Sequence, residues 1–162
     1  RRLRLPRTSM NSLPPSSLPD LSRLIEPWRA RLRTAEAMIA LRRARRLVHG
    51  QPFGTWRSSL GDPAPPSGPG PGEQEIALAW ALARHVDRAA WRLGGEWLCL
   101  PRAMALAAML RRRGIGYGLH IAARPEAART GSDDLHAWID VGPVRVLGDL
   151  PGEWAVVYLL YG

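Results

Sequence analysis

The 162-residue chain contains no lysine, one cysteine and one phenylalanine, and it has no long apolar run. No run approaches the roughly 18 residues of a membrane-spanning helix, so we expect no membrane association. The single thiol, Cys99, excludes a disulfide scaffold and fits a reducing compartment, so we expect a cytoplasmic location. The chain begins RRLRLPRTSM, with no initiating Met and no apolar stretch behind the paired arginines. These residues indicate a partial chain rather than a secretion signal.

Apolar residues make up 46% of the chain and charged residues 23%, the mix of a globular protein with a core. A chain of this size buries roughly 70% of its unfolded surface and needs no metal in order to fold. No set of His, Cys and carboxylate residues has metal-ligand spacing, and there is no glycine-rich phosphate loop. We therefore expect neither a metal nor a cofactor.

Positive charge is concentrated at one end of the chain. Residues 1–60 hold 13 Arg against three acidic residues, whereas residues 61–162 hold 10 Arg against 11 acidic residues. An arginine-rich helical segment can contact an acidic peptide, an acidic partner protein or nucleic acid, or can simply be a solvated helix face. Zinc-finger spacing and aromatic RNA-binding motifs are both missing from the sequence, which disfavours nucleic acid.

Proline, glycine and charge divide the chain into four parts. Apolar residues recur at spacings of three and four after Asp20, and Pro27 is expected to break this helix or to lie in its first turn. A later stretch, GDPAPPSGPGPGE, is too rich in Pro and Gly for regular structure. The predicted parts are a flexible segment 1–19, a basic helical region 20–60, a linker or loop 61–73, and a core domain 74–162.

The core domain reads as helices followed by strands. A helix is predicted at about 74–92, and a second at about 98–113 that is apolar almost all round and must be buried. Four strands are then predicted, at 117–123, 136–141, 144–147 and 154–161. This order predicts an α+β fold in which a buried helix packs on an antiparallel sheet.

Three residues could carry chemistry: Cys99, His136 and Asp149. Cys99 begins the buried helix, where unpaired N–H groups and the helix dipole favour a thiolate. His136 opens a strand and Asp149 closes the next one, and a tight turn at 142–143 would bring these two residues alongside each other. Nucleophile, base and orienting carboxylate would then be assembled. The simpler reading is a core cysteine, a strand histidine and a turn aspartate.

The segments CLPRAMALAAMLRRRGI (99–115) and HAWID (136–140), with the strand ending at Asp149, resemble the transglutaminase-like leader peptidases of lasso-peptide biosynthesis. The resemblance covers about residues 74–155. It implies a transglutaminase/papain-like core in which Cys99 is the nucleophile, His136 the general base and acid, and Asp149 the residue that orients the imidazole. Asp140 is a weaker candidate for that third role, and His120 is expected to be a structural or edge residue.

The resemblance also implies a reaction and its partners. The peptidase would cut the leader from a precursor peptide, after which a separate ATP-dependent lasso cyclase closes the macrolactam ring. Residues 1–73 lack the strands of a leader-binding domain, so a separate leader-recognition protein is expected. The basic region 20–60 could dock that protein or an acidic leader.

Besides nucleic-acid binding through the arginine-rich helices, two alternatives remain open at the level of the sequence. A transglutaminase-like acyl transferase would pass the Cys99 thioester to an amine. A non-catalytic basic interaction module would keep the fold without the activity. The nucleophilic chemistry depends on Cys99 in either enzyme, whereas a binding module does not need the thiol. No donor upstream of Cys99 matches the papain-like oxyanion glutamine, so only the Cys99 backbone N–H is assigned to an oxyanion hole.

Overall fold

The helices come first along the chain and the strands last, which confirms the predicted α+β class. A computed structural model describes residues 21–125 and 134–162, with side chains from residue 26 onward. The predicted flexible segment 1–19 lies outside these residues. The elements are α1 (Leu21–Gly50), α2 (Phe53–Trp56), a 3-10 helix (Arg57–Leu60), α3 (Glu73–Leu93), α4 (Cys99–Arg111), β1 (Gly118–Ala123), β2 (Leu135–Val141), β3 (Val144–Leu147) and β4 (Ala155–Tyr161).

Helix α1 is continuous from Leu21 to Gly50, and its buried residues do not match the predicted apolar face. It runs through Pro27 without a break, so the prediction that Pro27 breaks the helix or lies in its first turn is wrong. Proline removes one N–H from the helix, and the remaining turns keep their bonds. Ala37 and Leu41 are fully buried, whereas Trp28 and Leu32, two of the apolar residues at spacings of three and four after Asp20, are exposed.

Helix α4 is the central element of the fold. Eight of its residues are buried, and it packs against α1, α3 and the sheet, as its all-round apolar sequence predicts. Pro101 lies in its first turn, and Gly114, with φ +65°, follows its end. Because α4 is surrounded by other elements, the position of its first residue is fixed relative to the sheet.

The four strands form one antiparallel sheet in the order β3-β2-β1-β4. β2 and β3 are neighbours joined by a tight turn in which Gly142 has φ +58°, as predicted. Ala137, Ile139 and Val141 of β2 belong to the core with α4. By strand alternation, the residues between them, His136, Trp138 and Asp140, lie on the other face of the sheet.

One hydrophobic core takes residues from α1, α3, α4 and the sheet, on both sides of segment 61–73. That segment connects the 3-10 helix to α3, and Glu75 of α3 accepts a hydrogen bond from the N–H of Gly72 (2.8 Å). Of the helices in the described ranges, none combines the length and the apolar character that crossing a bilayer requires.

A carboxylate clamps the end of α4 to α1. Glu36 accepts hydrogen bonds from Arg113 (2.7 Å) and Arg112 (3.2 Å), and its side chain is 17% exposed. The hydrogen bond from Arg113 lowers the pKa of Glu36; burial acts in the opposite direction, and the charges of both arginines add to the lowering. The ion pair therefore favours the folded state as long as Glu36 is ionised.

Replacing Glu36 by Gln is expected to lower the free energy of unfolding by about 1–2 kcal/mol at pH 7, measured by urea denaturation. The matched control Glu26→Gln is expected to change it by less than about 0.5 kcal/mol, because Glu26 is exposed and lies 3.9 Å from Arg33. The folded pKa of Glu36 is below its ordinary 4.5, so the Glu36 contribution is present above that pH and is lost as the pH falls through the folded pKa. Equal losses in the two variants would contradict the clamp.

Candidate active site

Cys99 is the first residue of α4 and is partly buried. The first N–H groups of a helix have no acceptor within the helix. At this end Pro101 has no N–H at all, and the N–H of Arg102 bonds to the Leu98 carbonyl (3.4 Å). The N–H groups of Cys99 and Leu100 therefore remain available beside the thiol. Two backbone donors at this position form the kind of site that stabilises an oxyanion.

The three residues singled out from the sequence line one cavity of about 350 Å3, which contains Cys99, His136 and Asp149. The Cys99 thiol donates to the Leu135 carbonyl, with Sγ and O 3.8 Å apart. Within residues 21–125 and 134–162, no hydrogen bond joins Sγ of Cys99 to the His136 ring. Catalytic hydrogen bonds are often long in a site without substrate. The structure thus brings thiol and imidazole to the same cavity without direct contact.

His136 is held by a main-chain carbonyl. The ring is 7% exposed, and its Nε2 donates to the carbonyl oxygen of Gly148 at 2.7 Å. A carbonyl can only accept, so Nε2 carries the proton and Nδ1 of the neutral ring is left as the base. The indoles of Trp138 and Trp154 flank the ring, with centroids 5.8 and 5.1 Å away. The imidazole therefore has a fixed tautomer and little room to rotate.

Gly148 was not singled out from the sequence, although its position requires glycine. Its φ is +83°, and a Cβ there would lie 2.7 Å from the Ala137 carbonyl oxygen and 2.9 Å from Cβ of Trp138. Only glycine allows the end of β3 to approach β2 this closely. A glycine at the end of a predicted strand was the available signal, but its partner, His136, depends on the pairing of β2 and β3.

Asp149 and Asp140 do not contact His136. The Asp149 side chain is 94% exposed and lies 3.8 Å from Nη1 of Arg145. Asp140 contacts Nε2 of His120 (3.0 Å), Nε1 of Trp138 (3.1 Å) and Nε of Arg145 (3.4 Å). The His136 ring is therefore oriented by the Gly148 carbonyl. The orienting role expected of Asp149 stays a prediction.

The Asp140 cluster forms a second polar group on the same face of the sheet. Burial raises the pKa of Asp140, but the hydrogen bond and charge of His120, the Trp138 N–H and the charge of Arg145 together hold it below its ordinary value. The His120 ring stacks on Trp138 at 4.8 Å, and Arg145 lies 4.5 Å from the centroid of that indole. β1 is an inner strand, so His120 is not an edge residue; its contacts with Asp140 and Trp138 fit the structural role, which was the other expectation.

The wall opposite the sheet was missed by the sequence reasoning. Trp80 and Asp87 of α3 line the cavity of Cys99, and Asp87 pairs with Arg102 of α4. Nε of Arg102 is buried with no hydrogen-bond partner among the described residues. These side chains come from two helices, and no local sequence pattern specifies how the two helices pack.

In the described ranges, no group of three or more His, Cys, Asp or Glu side chains could hold a metal ion.

This arrangement can support thiol chemistry. The Cys99 thiol and the His136 ring, whose Nε2 donates to a carbonyl, line one cavity at a helix N-terminus, where the first backbone N–H groups lack acceptors within the helix. Attack on a carbonyl would place the developing negative charge near the N–H groups of Cys99 and Leu100. The helices followed by an antiparallel sheet are consistent with a transglutaminase-like core.

The comparisons with known proteins agree with this class. The family model described as the transglutaminase-like superfamily matches residues 26–157, which is most of the chain. The chain belongs to the transglutaminase-like superfamily, which generally includes cysteine peptidases and acyltransferases. The match begins at residue 26 and therefore includes most of α1. Neither a curated protein nor a solved structure matches the chain significantly.

If the thiol and the imidazole form a pair, alkylation of Cys99 by iodoacetamide should remain fast below about pH 7, where an ordinary thiol reacts slowly. His136→Ala is expected to lower the rate at pH 6 at least about tenfold, because the base that takes the thiol proton is lost. His120→Ala is the matched control, since His120 lies outside the cavity of Cys99. Mass spectrometry reports the reaction unambiguously because Cys99 is the only cysteine.

Equal rates in the parent and both variants would contradict the pairing. Near-ultraviolet circular dichroism of each variant checks that its fold is retained.

Proposed function

We propose that the chain is a cysteine peptidase that removes the leader from a ribosomally made precursor peptide of the lasso class. The observation that carries the proposal is the shared cavity of Cys99 and His136 at the N-terminus of the buried helix α4. Membership in the transglutaminase-like superfamily supports a nucleophilic cysteine. The lasso-peptide role rests on the resemblance of the segments 99–115 and 136–140 to leader peptidases.

The proposed reaction has two steps. Nδ1 of His136 takes the proton of the Cys99 thiol, and the sulfur attacks the carbonyl of the scissile peptide bond. The N–H groups of Cys99 and Leu100 stabilise the oxyanion. The C–N bond then breaks, His136 gives its proton to the leaving amine of the core peptide, and an acyl-thioester remains on Cys99. In the second step His136 deprotonates water, which attacks the thioester carbonyl. The C–S bond then breaks, His136 returns its proton to the Cys99 sulfur, and the leader leaves as a carboxylic acid.

The remaining residues of the cavity suit a peptide substrate. Trp80 supplies an apolar wall, while Arg102 and Asp87 form an ion pair on the helix side. Arg145 lies on the sheet side between Trp138 and the carboxylates of Asp140 and Asp149. Apolar walls with a few placed polar groups are typical of ligand sites. We further propose the expected partners: a separate leader-recognition protein that presents the precursor, and an ATP-dependent cyclase that uses the freed amine.

The first test is cleavage of a lasso precursor peptide from the same source, together with its leader-recognition protein, followed by mass spectrometry. Hydrolysis is expected to give two fragments whose masses sum to the precursor plus one water. Cys99→Ala is expected to lower the rate at least about a thousandfold, because the covalent intermediate cannot form. Glu26→Gln, which lies outside the site, serves as the matched control.

Other products would identify the other functions. Incorporation of an added amine in place of water would indicate an acyl transferase acting through the same thioester. If Cys99→Ala supports leader removal as well as the parent does, the peptidase proposal fails and a non-catalytic interaction module is favoured.

A second test separates the two candidate aspartates. If Asp149 turns toward the imidazole when substrate binds, Asp149→Asn should lower kcat by about a hundredfold with little change in the free energy of unfolding, since its side chain is 94% exposed. Asp140→Asn should instead lower the free energy of unfolding by about 1–2 kcal/mol, because it loses charged contacts with His120 and Arg145. Unchanged turnover in Asp149→Asn would leave the Gly148 carbonyl as the only group that orients the ring.

A further inference from the structure

A basic groove of about 590 Å3 lies where the C-terminal part of α1 faces the end of α3. Arg42, Arg45, Arg46 and His49 form one side of the groove, with Leu93 and Trp97 on the other. The four α1 residues follow the spacing i, i+3, i+4, i+7, so they share one face of the helix. All four are exposed. The groove is separate from the cavity of Cys99, and none of these residues has a role in the proposed reaction.

The groove is already organised around an aromatic ring. The guanidinium of Arg45 lies 5.1 Å from the centroid of the Trp97 indole, a cation–π contact that fixes its position. Nδ1 of His49 donates to the Arg45 main-chain carbonyl at 2.9 Å, which leaves Nε2 of that ring as the atom able to meet a ligand. The Trp97 indole N–H donates to the Gly94 carbonyl (3.0 Å). The Arg45 guanidinium and the His49 ring are therefore held in place in the groove.

Several other arginines of the fold are paired with carboxylates. Arg102 pairs with Asp87, Arg113 with Glu36, and Arg145 with Asp140. In the part of the chain that the structure describes, no carboxylate lies within 4.0 Å of the guanidinium groups of Arg42, Arg45 or Arg46. Glu96 lines a small adjoining cavity with Arg45 and His49 but forms no ion pair with them.

Neighbouring like charges on one helix face destabilise the helix by a few tenths of a kcal/mol per pair. A bound anion would remove this repulsion.

The chemistry and position of the groove point to a particular ligand. Guanidinium groups bind carboxylates through paired, charge-assisted hydrogen bonds, and three of them lie on one helix face. Trp97 is only two residues before Cys99, so their Cα atoms are at most about 7 Å apart. A peptide bound at the thiol can therefore extend into the groove within a few residues. The apolar side formed by Leu93 and Trp97 suits a peptide chain better than a bare phosphate backbone.

We propose that this basic groove binds an acidic segment of the peptide substrate and so determines part of the specificity. The proposal rests on the proposed function, because it takes the bound segment to belong to the chain that Cys99 attacks. Within the basic region 20–60, it limits the proposed binding surface to three arginines and one histidine. Glutamate or aspartate side chains of the substrate supply the carboxylates that the groove lacks.

The test measures fluorescence anisotropy of a labelled hexaglutamate peptide with the 162-residue chain at low salt. The double variant Arg42→Gln/Arg46→Gln is expected to bind at least about tenfold more weakly, because two charge-assisted contacts are lost. The matched control is Arg29→Gln/Arg43→Gln, which removes the same charge from exposed positions of the same helix outside the groove. We expect the control to bind within about twofold of the parent.

Three outcomes would overturn the proposal. Equal weakening in both double variants would show that only net charge matters. Absence of binding to the parent chain would exclude the groove as a peptide site. Tighter binding of a single-stranded oligonucleotide, weakened tenfold in the groove variant, would make it a nucleic-acid surface.

The alkylation rate of Cys99 in the parent chain, measured in parallel, distinguishes the two proposals. A slow thiol with groove-dependent peptide binding would remove the peptidase function alone. A reactive thiol with groove-independent binding would remove the groove alone.

Discussion

The burial of α4 is the constraint on which the rest of the site depends. Its residues are apolar almost all round, so the helix is stable only where α1, α3 and the sheet surround it. Once it is surrounded, its N-terminus has a fixed position against the start of β2, and Cys99 meets the Leu135 carbonyl. At this end of the helix the first N–H groups have no acceptor within the helix. Thus the hydrophobic effect, which has no direction of its own, determines where the Cys99 thiol and these backbone N–H groups lie.

The sheet positions His136 in two ways: side chains alternate between the faces of β2, and the end of β3 approaches β2 closely. Ala137 and Ile139 face the core, so His136 and Trp138 must face away from it. Gly148 then lets the end of β3 approach β2 closely enough for its carbonyl to accept from Nε2 of His136. A carbonyl orients an imidazole without adding a negative charge. The tautomer is therefore fixed by the backbone, and a nearby carboxylate would add electrostatic stabilisation of the imidazolium.

Some arginines of the fold have a carboxylate partner and others do not. At the cavity of Cys99 and on the outer face of the sheet, Arg102 pairs with Asp87 and Arg145 with Asp140, each from another element. Such pairs connect neighbouring elements and reduce the local positive electrostatic potential. At the C-terminal part of α1, Arg42, Arg45 and Arg46 share a face without such partners. The guanidinium groups on this helix face therefore remain able to bind an anion.

Much of the fold of this protein can be predicted from local sequence patterns. Residues 98–113 predict a buried helix with Cys99 at its start, and the turn at 142–143 predicts the pairing of β2 with β3, because spacing and helix-end residues act over short distances. The continuity of α1 through Pro27 and the exposure of Trp28 depended on what packs against that helix. Tertiary structure alone decided that Gly148, rather than Asp149, contacts His136, and that Asp140 contacts His120. Sequence spacing limits which strands can meet, whereas the atoms that touch depend on register, twist and close approach between segments distant in the chain.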